Sequence, residues 1–383
     1  MAFNRIKIPV IYHGKGTLKE LKSFRHQRIF IVTDKTIWEL FGKKISKYFK
    51  KQEIMVFDEV EPDPTDTIIT KGGDLAREFK PDLILGIGGG SVLDAAKGIF
   101  FLYEREDKTL YDMSPFTFFK LGKKSKFALI PTTSGTGSEN TWGIVVTKTG
   151  TGQKVPLGSY EVIPSTVILD PNLPLGMPPK LTAETGIDAL VHAVEAEINA
   201  LNNDFTEALN LHAIKLLFKY LPVAVQDGSN EEARQKVHNA ASLAGIGFAN
   251  SSCGIAHSCG HSLGGVFHFS HGISVGVMLP YILEFNKPEC ENKYIDILEA
   301  LNVTDSKDPT AQLVMMVKDL LKTVNLPTSL KEIISEADWK KNFEKLIEFV
   351  VTDQLNAFNP RAAEEEDFRK IFQYAYEEKS VDW

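Results

Sequence analysis

A chain of 383 residues with 43% hydrophobic and 24% charged residues has the composition of a soluble globular protein, too long for one ordinary core and pointing to two domains. Its net charge of −7 argues against nucleic acid or an anionic membrane as the main partner, and its Lys-rich stretches, "FGKKISKYFKK", "LGKKSK" and "WKKNFEK", read as solvated faces. Three cysteines (Cys253, Cys259, Cys290) without a CxxC pair exclude a disulfide framework and fit a reducing compartment.

The N-terminal stretch "MAFNRIKIPVIYHGKG" carries no export signal, and no run of about eighteen apolar residues follows, so the expectation is a cytoplasmic chain. Residues 28–34, "RIFIVTD", read as a buried strand, and a helical pattern follows. "EIMVFDEV" (53–60), "PDLILGIGGG" (81–90) and "KFALIPTT" (126–133) read as further strands, with helical patterns after the first two. Strand-helix alternation predicts a parallel sheet covered on both faces. "PNLPLGMPPK", with four prolines in ten residues, marks a boundary. Beyond it, helices are predicted around 182–200, 205–220, 231–249, 273–286 and 310–323. The domains are therefore taken as 1–177, α/β and Rossmann-like, and 178–383, all-helical. The default active site is a cleft between them.

Two small-residue loops follow strands. "LILGIGGGSVLDAAK" sets Gly86, Gly88, Gly89, Gly90 and Ser91 between a strand and a helix, where backbone N–H groups face an anion such as a diphosphate. The dinucleotide fingerprint is incomplete, because Ser91 stands where its last glycine belongs. "PTTSGTGSE" crowds the hydroxyls of Thr132, Thr133, Thr136 and Ser138 beside approachable backbone. Asp34 ends the first strand and reads equally well as a ribose acceptor or a helix N-cap.

Four of the nine histidines fall within fifteen positions: His257, His261, His268 and His271. Asp188 and His192, four apart on a predicted helix, share a face, as do His257 and His261. One carboxylate with three imidazoles suits Fe²⁺ or Zn²⁺. Cys253, four before His257, leaves a Cys/His zinc site as a rival, and spacing does not choose three ligands among five histidines. Gly264 and Gly265 should weaken the helix and leave His268 and His271 on a following turn.

In order and spacing, "GGGSVLDAAK", "PTTSGTGSE", "KVPLGS", "LDP", "TGIDALVHAVE" and the His-rich stretch resemble the iron-containing (group III) alcohol dehydrogenase family over nearly the whole chain. The resemblance implies the dehydroquinate synthase-like architecture of that family, and metal ligands at Asp188, His192, His257 and His271. It further implies a catalytic His261 near the nicotinamide, and no role for His268. Gly88, Gly89, Gly90 and Ser91 then meet the diphosphate, Thr132 and Thr133 the adenosine half, and Lys154 the nicotinamide ribose, with Ser138 also at the coenzyme. An acidic residue at Asp34 accompanies NAD rather than NADP. Ser270 departs from the family's proline before the last histidine, and Trp142 and Gly143 lie where relatives vary.

The implied function is reversible hydride transfer between a small alcohol or aldehyde and NAD, with Fe²⁺ (Zn²⁺ as the alternative) as Lewis acid and His261 relaying the proton. Phe248, Phe267 and Trp142 are candidate pocket walls. No nucleic-acid or membrane partner is implied, and a homodimer or larger homo-oligomer is. The rivals are a zinc- and NAD-dependent lyase or a polyol dehydrogenase on the same fold, and a non-enzymatic nucleotide sensor. A lyase gripping a phosphorylated acid would need arginines, and Arg234 is the only one between Lys180 and Asn286.

Overall fold

The computed structural model describes residues 6–383. The chain forms two compact units, one ending at Gly176 and the other spanning Met177–Trp383.

In chain order the first unit runs β1 (Val10–His13), β2 (Arg28–Val32), α1 (Lys35–Ser46), β3 (Glu53–Phe57), α2 (Asp66–Phe79), β4 (Leu83–Gly88), α3 (Gly90–Glu104), β5 (Lys126–Pro131), β6 (Gly143–Thr147), β7 (Lys154–Gly158) and β8 (Thr166–Leu169). Six strands pair in the order β1-β8-β5-β4-β2-β3, every pair parallel, while β6 and β7 form a separate antiparallel ribbon. The pleat sorts side chains between two cores. Phe30, Val32 and Ile84 pack with α2 and α3, whereas Ile29, Ile31, Leu83, Leu85 and Ile87 pack with Ile45 of α1. Both faces are covered, which is why β4 reads as an unbroken apolar run.

The winding reverses at the β2–β4 pair, since β3 lies outside β2 and β5 lies on the far side of β4. In open α/β sheets, ligands settle beyond the carboxyl ends of strands at such a reversal. Asp34 and the glycines 88–90 occupy those two ends. Four strands, β1, β8 and the two of the β6–β7 ribbon, had no counterpart in the expected set. The first two are only four residues long, and β1 lies at an edge with Val10 exposed, so neither carries a long apolar signal.

The second unit is helical: α4 (Pro179–Ile198), α5 (Asp204–Gln226), α6 (Glu231–Asn250), α7 (Ile255–Phe267), α8 (His271–Ala300), α9 (Pro309–Thr323), α10 (Glu336–Val350) and α11 (Glu365–Glu377). Pro179 opens α4 at a position where its missing N–H has no cost, and Asn203, Asn230, Asp308 and Ser335 cap α5, α6, α9 and α10 through side-chain oxygens. From Thr182 onward α4 is buried on nearly all sides, so it is the axis of the unit rather than an amphipathic surface helix. Its polar residues are therefore obliged to find partners inside the protein. By length and composition alone α5 could cross a bilayer, yet it packs on α4 and α6 through Ala213, Leu217 and Leu221.

Two local expectations need correction. Helix α7 continues through Gly264 and Gly265 to Phe267; His268 closes it in the left-handed conformation (φ 60°), and His271 is already the first residue of α8. Cys253 precedes α7, so it does not share a helical face with His257, although the fold brings the two together by another route.

Candidate active site

Each putting-together of functional groups can be traced to helix geometry, beginning with α4. Asp188 and His192 lie one turn apart, and Glu195 follows three residues later on the same side. From α7 comes His257, and from the first turn of α8 comes His271. The four side chains Asp188, His192, His257 and His271 offer ligand atoms that all lie within 4.8 Å of one another. Asp188 Oδ1 is 3.7 Å from His192 Nδ1, 4.0 Å from His257 Nε2 and 3.4 Å from His271 Nε2.

The close approach of α8 to α4 depends on Gly272. A Cβ there would stand 1.9 Å from the carbonyl oxygen of Glu184, so any larger residue would push His271 away from Asp188. Phe248 of α6 stacks on the His192 ring at 4.2 Å between centroids and braces its plane. Phe267 stacks on Phe269 and Trp142 tilts against Tyr160.

Asp188 Oδ1, His192 Nδ1 and His257 Nε2 are buried with no hydrogen-bond partner among the described residues. Orphaned buried polar atoms are destabilising by roughly 1–3 kcal/mol each, and here they converge on one space. Burial pushes the Asp188 carboxyl up to about 7, with the His257 imidazole pulling the other way. Burial and the neighbouring imidazoles hold His192 well below its ordinary value, and so neutral. A carboxylate that is costly to ionise alone, beside imidazoles bearing lone pairs, is the donor set that a divalent cation satisfies. The residues fit such an ion.

Two residues missed from the sequence complete the surroundings. Glu195, 1% exposed, accepts hydrogen bonds from Ala256 N–H (2.6 Å) and His257 Nδ1 (2.5 Å). Its spacing after His192 was a usable signal. Asp353, reaching in from the loop after α10, pairs with His261 Nδ1 at 2.8 Å. No local pattern could have announced a partner 92 positions away. His261 stacks on His271 at 5.6 Å, whereas His268 is exposed and outside the group. Cys253 is buried beside Glu195 and His257.

In the first unit Gly89 is the N-cap of α3, so the N–H groups of Gly90, Ser91 and Val92 head the helix without intrahelical acceptors. A Cβ on Gly90 would meet Thr136 Cγ2 at 2.8 Å, which ties the two small-residue loops together. Thr132 donates its N–H to Gly88 O, and its buried hydroxyl has no partner among the described residues; Thr133 is half-buried. The Ser138 hydroxyl is engaged internally, donating to Asp94 (2.6 Å) and accepting from Lys97 (2.8 Å). Burial brings that lysine down to about 8, with Asp94 and Glu139 opposing the shift. Lys154 pairs with Asp63 at 2.7 Å on the surface, and Ser91 Oγ accepts from Asp63 N–H. Asp34 caps α1, with Oδ1 accepting from Ile37 N–H.

Comparison with known proteins finds relatives over nearly the whole chain. A family model described as "Iron-containing alcohol dehydrogenase" matches residues 9–171, and one described as "Fe-containing alcohol dehydrogenase family, C-terminal" matches residues 182–376. An NADPH-dependent butanol dehydrogenase of Clostridium saccharobutylicum is 37% identical, with 97% of this chain and 98% of the relative covered. A 1-propanol dehydrogenase of Citrobacter freundii is 33% identical over 95% and 97%. The crystal structure of a 1,3-propanediol oxidoreductase superposes with a TM-score of 0.91 at 30% identity, covering 97% of this chain and 99% of the other.

Proposed function

Because the chain belongs to the iron-containing alcohol dehydrogenase family, we propose that its NAD(P)-linked alcohol dehydrogenase activity interconverts small primary alcohols or diols and their aldehydes, with NAD as coenzyme and Fe²⁺ held by Asp188, His192, His257 and His271. The observation that carries this reading is the convergence of three buried, unpartnered donor atoms in one helical unit. When bound, the cation supplies Lewis acidity toward the substrate oxygen and the nicotinamide accepts or returns the hydride.

This chain's own residues do the rest. Asp188 contributes the negative charge that makes a dication welcome in a buried place, and the imidazoles, in the deprotonated form that binds a cation, contribute lone pairs without adding charge. His261 is our proton relay: Asp353 holds its Nδ1, which leaves Nε2 to exchange a proton with substrate or solvent. The N–H groups heading α3 and the glycines before it suit a diphosphate, with Thr132 and Thr133 beside them.

Asp34 supports NAD. It sits at the strand end adjacent to the glycine loop, where its charge would repel a 2′-phosphate, although the similar butanol dehydrogenase is named NADPH-dependent. The names of the relatives, a butanol, a propanol and a propanediol enzyme, support short unbranched substrates. A lyase that grips phosphorylated acids is disfavoured, because Arg234 is 1% exposed and spends its guanidinium on Gly228 O, Thr182 Oγ1 and Met177 O. The exposed Ile8, just before β1, and Val10, at the start of that edge strand, support self-association into a dimer or larger, and three buried free cysteines suit a reducing cytoplasm.

A screen of short alcohols and aldehydes against NAD(H) and NADP(H), on protein reconstituted separately with Fe²⁺ and Zn²⁺, tests the proposal. NADH formation dependent on added cation is expected. Equal turnover with the cation removed would contradict it.

A further inference from the structure

Glu195 touches none of the orphaned donor atoms, yet its two oxygens are both committed to the cluster. Oε1 accepts from the N–H of Ala256, in the first turn of α7, whose N-cap Gly254 has no side chain to offer. Oε2 meets His257 Nδ1 at 2.5 Å. An ionised carboxylate has lone pairs only and cannot donate. The partner nitrogen must therefore carry the proton, and the other nitrogen of a neutral His257 must carry the lone pair. That other nitrogen, Nε2, is the buried atom without a hydrogen-bond partner, 4.0 Å from Asp188 Oδ1.

We propose that Glu195 is a positioning residue that locks the Nδ1–H tautomer of His257, so that the affinity of the Asp188/His192/His257/His271 cluster for a divalent cation depends on a carboxylate that never touches the ion. The inference rests on the reading of those four side chains as cation ligands. Glu195 also sets the ring's tilt, since the same carboxylate anchors the backbone one residue earlier at Ala256 and the ring itself. Such carboxylate–imidazole pairs typically change metal affinity by about 10- to 100-fold when broken.

Glutamine is the informative replacement, because it keeps the volume and breaks the symmetry. A carboxamide has one accepting and one donating end, while Glu195 faces two donors. If the amide turns its NH₂ toward His257, the ring must accept at Nδ1 and move its proton to Nε2, the nitrogen on the cation's side. If the NH₂ turns toward Ala256 instead, two donors face each other at the start of α7. Neither orientation reproduces the native pattern.

The test begins with metal-free wild-type protein and Co²⁺. Nitrogen-15 chemical shifts of the histidine rings, followed as pH is raised until His257 is neutral, report the tautomer directly, and the neutral ring should show Nδ1–H; an Nε2–H ring in the wild type would overturn the proposal without any variant having to fold. Competition with a chromophoric chelator should then show Co²⁺ bound about 10- to 100-fold more weakly by Glu195→Gln, at the same one-to-one stoichiometry. Unchanged affinity in Glu195→Gln would overturn it as well. A thiolate charge-transfer band in the Co²⁺ spectrum would put the ion on Cys253 and make Glu195 a ligand, a third contrary result. If His271→Ala binds Co²⁺ as tightly as the wild type, the cation reading itself fails, and the tautomer signal of the metal-free protein separates that failure from a failure of the lock.

Discussion

The two candidate sites of this protein are built on opposite plans. The glycine loop ahead of α3 works by leaving side chains out: its functional groups are backbone N–H donors, and the side chains nearby, such as Ser138, Lys97 and Asp94, are largely satisfied by one another. The imidazole cluster works by leaving side chains unsatisfied, with donor atoms of α4 and α7 buried and unpartnered around one space. A loop of the first kind tolerates an empty state at little cost, since water can serve exposed N–H groups. A cluster of the second kind stores its desolvation penalty until a cation relieves it. The coenzyme should therefore come and go, whereas the metal should stay.

The largest effect should come from removing a donor. His271→Ala and Asp188→Asn should both lose tightly held cation, measured as metal per chain, and lower turnover by about a thousandfold or more, the scale of the several kcal/mol a Lewis acid supplies. NADH binding, followed by fluorescence, should be unchanged; coupled loss of both ligands would erase the contrast between the two plans. Next in size is Gly90→Val, whose Cβ would collide with Thr136. It should weaken NADH about 10- to 100-fold, equivalent to one or two lost hydrogen bonds, and leave metal content intact.

Asp34→Gly tests a smaller term. Glycine is an acceptable N-cap, so stability should change by only a few tenths of a kcal/mol, while the preference for NAD over NADP should relax by about tenfold, the value of about 1.4 kcal/mol of repulsion. An unchanged coenzyme ratio would leave Asp34 as a cap and nothing more.

The smallest effect on the reaction concerns Glu197, a buried acid of α4 that does have a partner, Lys293 Nζ at 3.1 Å. Burial pushes its carboxyl up to about 7 against the pull of that lysine. A raised folded-state value means the native protein holds the proton more tightly than the unfolded chain. The associated stability is complete below about 4.5 and is lost as pH rises through 7. Thermal melts across that window should show a loss on the order of 1–3 kcal/mol, absent in Glu197→Gln, with turnover little altered. A variant that keeps the wild-type slope would show that Glu197 is not its source.

How well each plan could be read in the sequence follows from the same contrast. A backbone site announces itself, because glycines must stand where the chain approaches its ligand, and Gly88–Gly90 follow a recognisable strand. The histidines were visible as a cluster, but spacing alone left five imidazoles and a thiol in contention; three helices had to be folded before His268 fell out and His271 came in at the head of α8. Asp353 lay beyond reach, since its pairing with His261 is set by how the chain after α10 returns to α7. In the fold, long buried strands and most helices were legible. The four-residue strands β1 and β8 were not, being too short for periodicity to register, and α10 and α11 hide their buried Trp339, Leu346, Phe368 and Phe372 among many charges. Both sites stand at places where local rules are broken, by glycines at a helix start in one case and by unpaired polar atoms in a core in the other.

The most direct test of the central claim is an anaerobic titration of the metal-stripped protein with Fe²⁺, following NADH formation from a short primary alcohol. The arrangement of Asp188, His192, His257 and His271 predicts no turnover before the first addition, a linear rise and a plateau at one ion per chain. Full activity in the stripped protein, or a rise that ignores that stoichiometry, would contradict it.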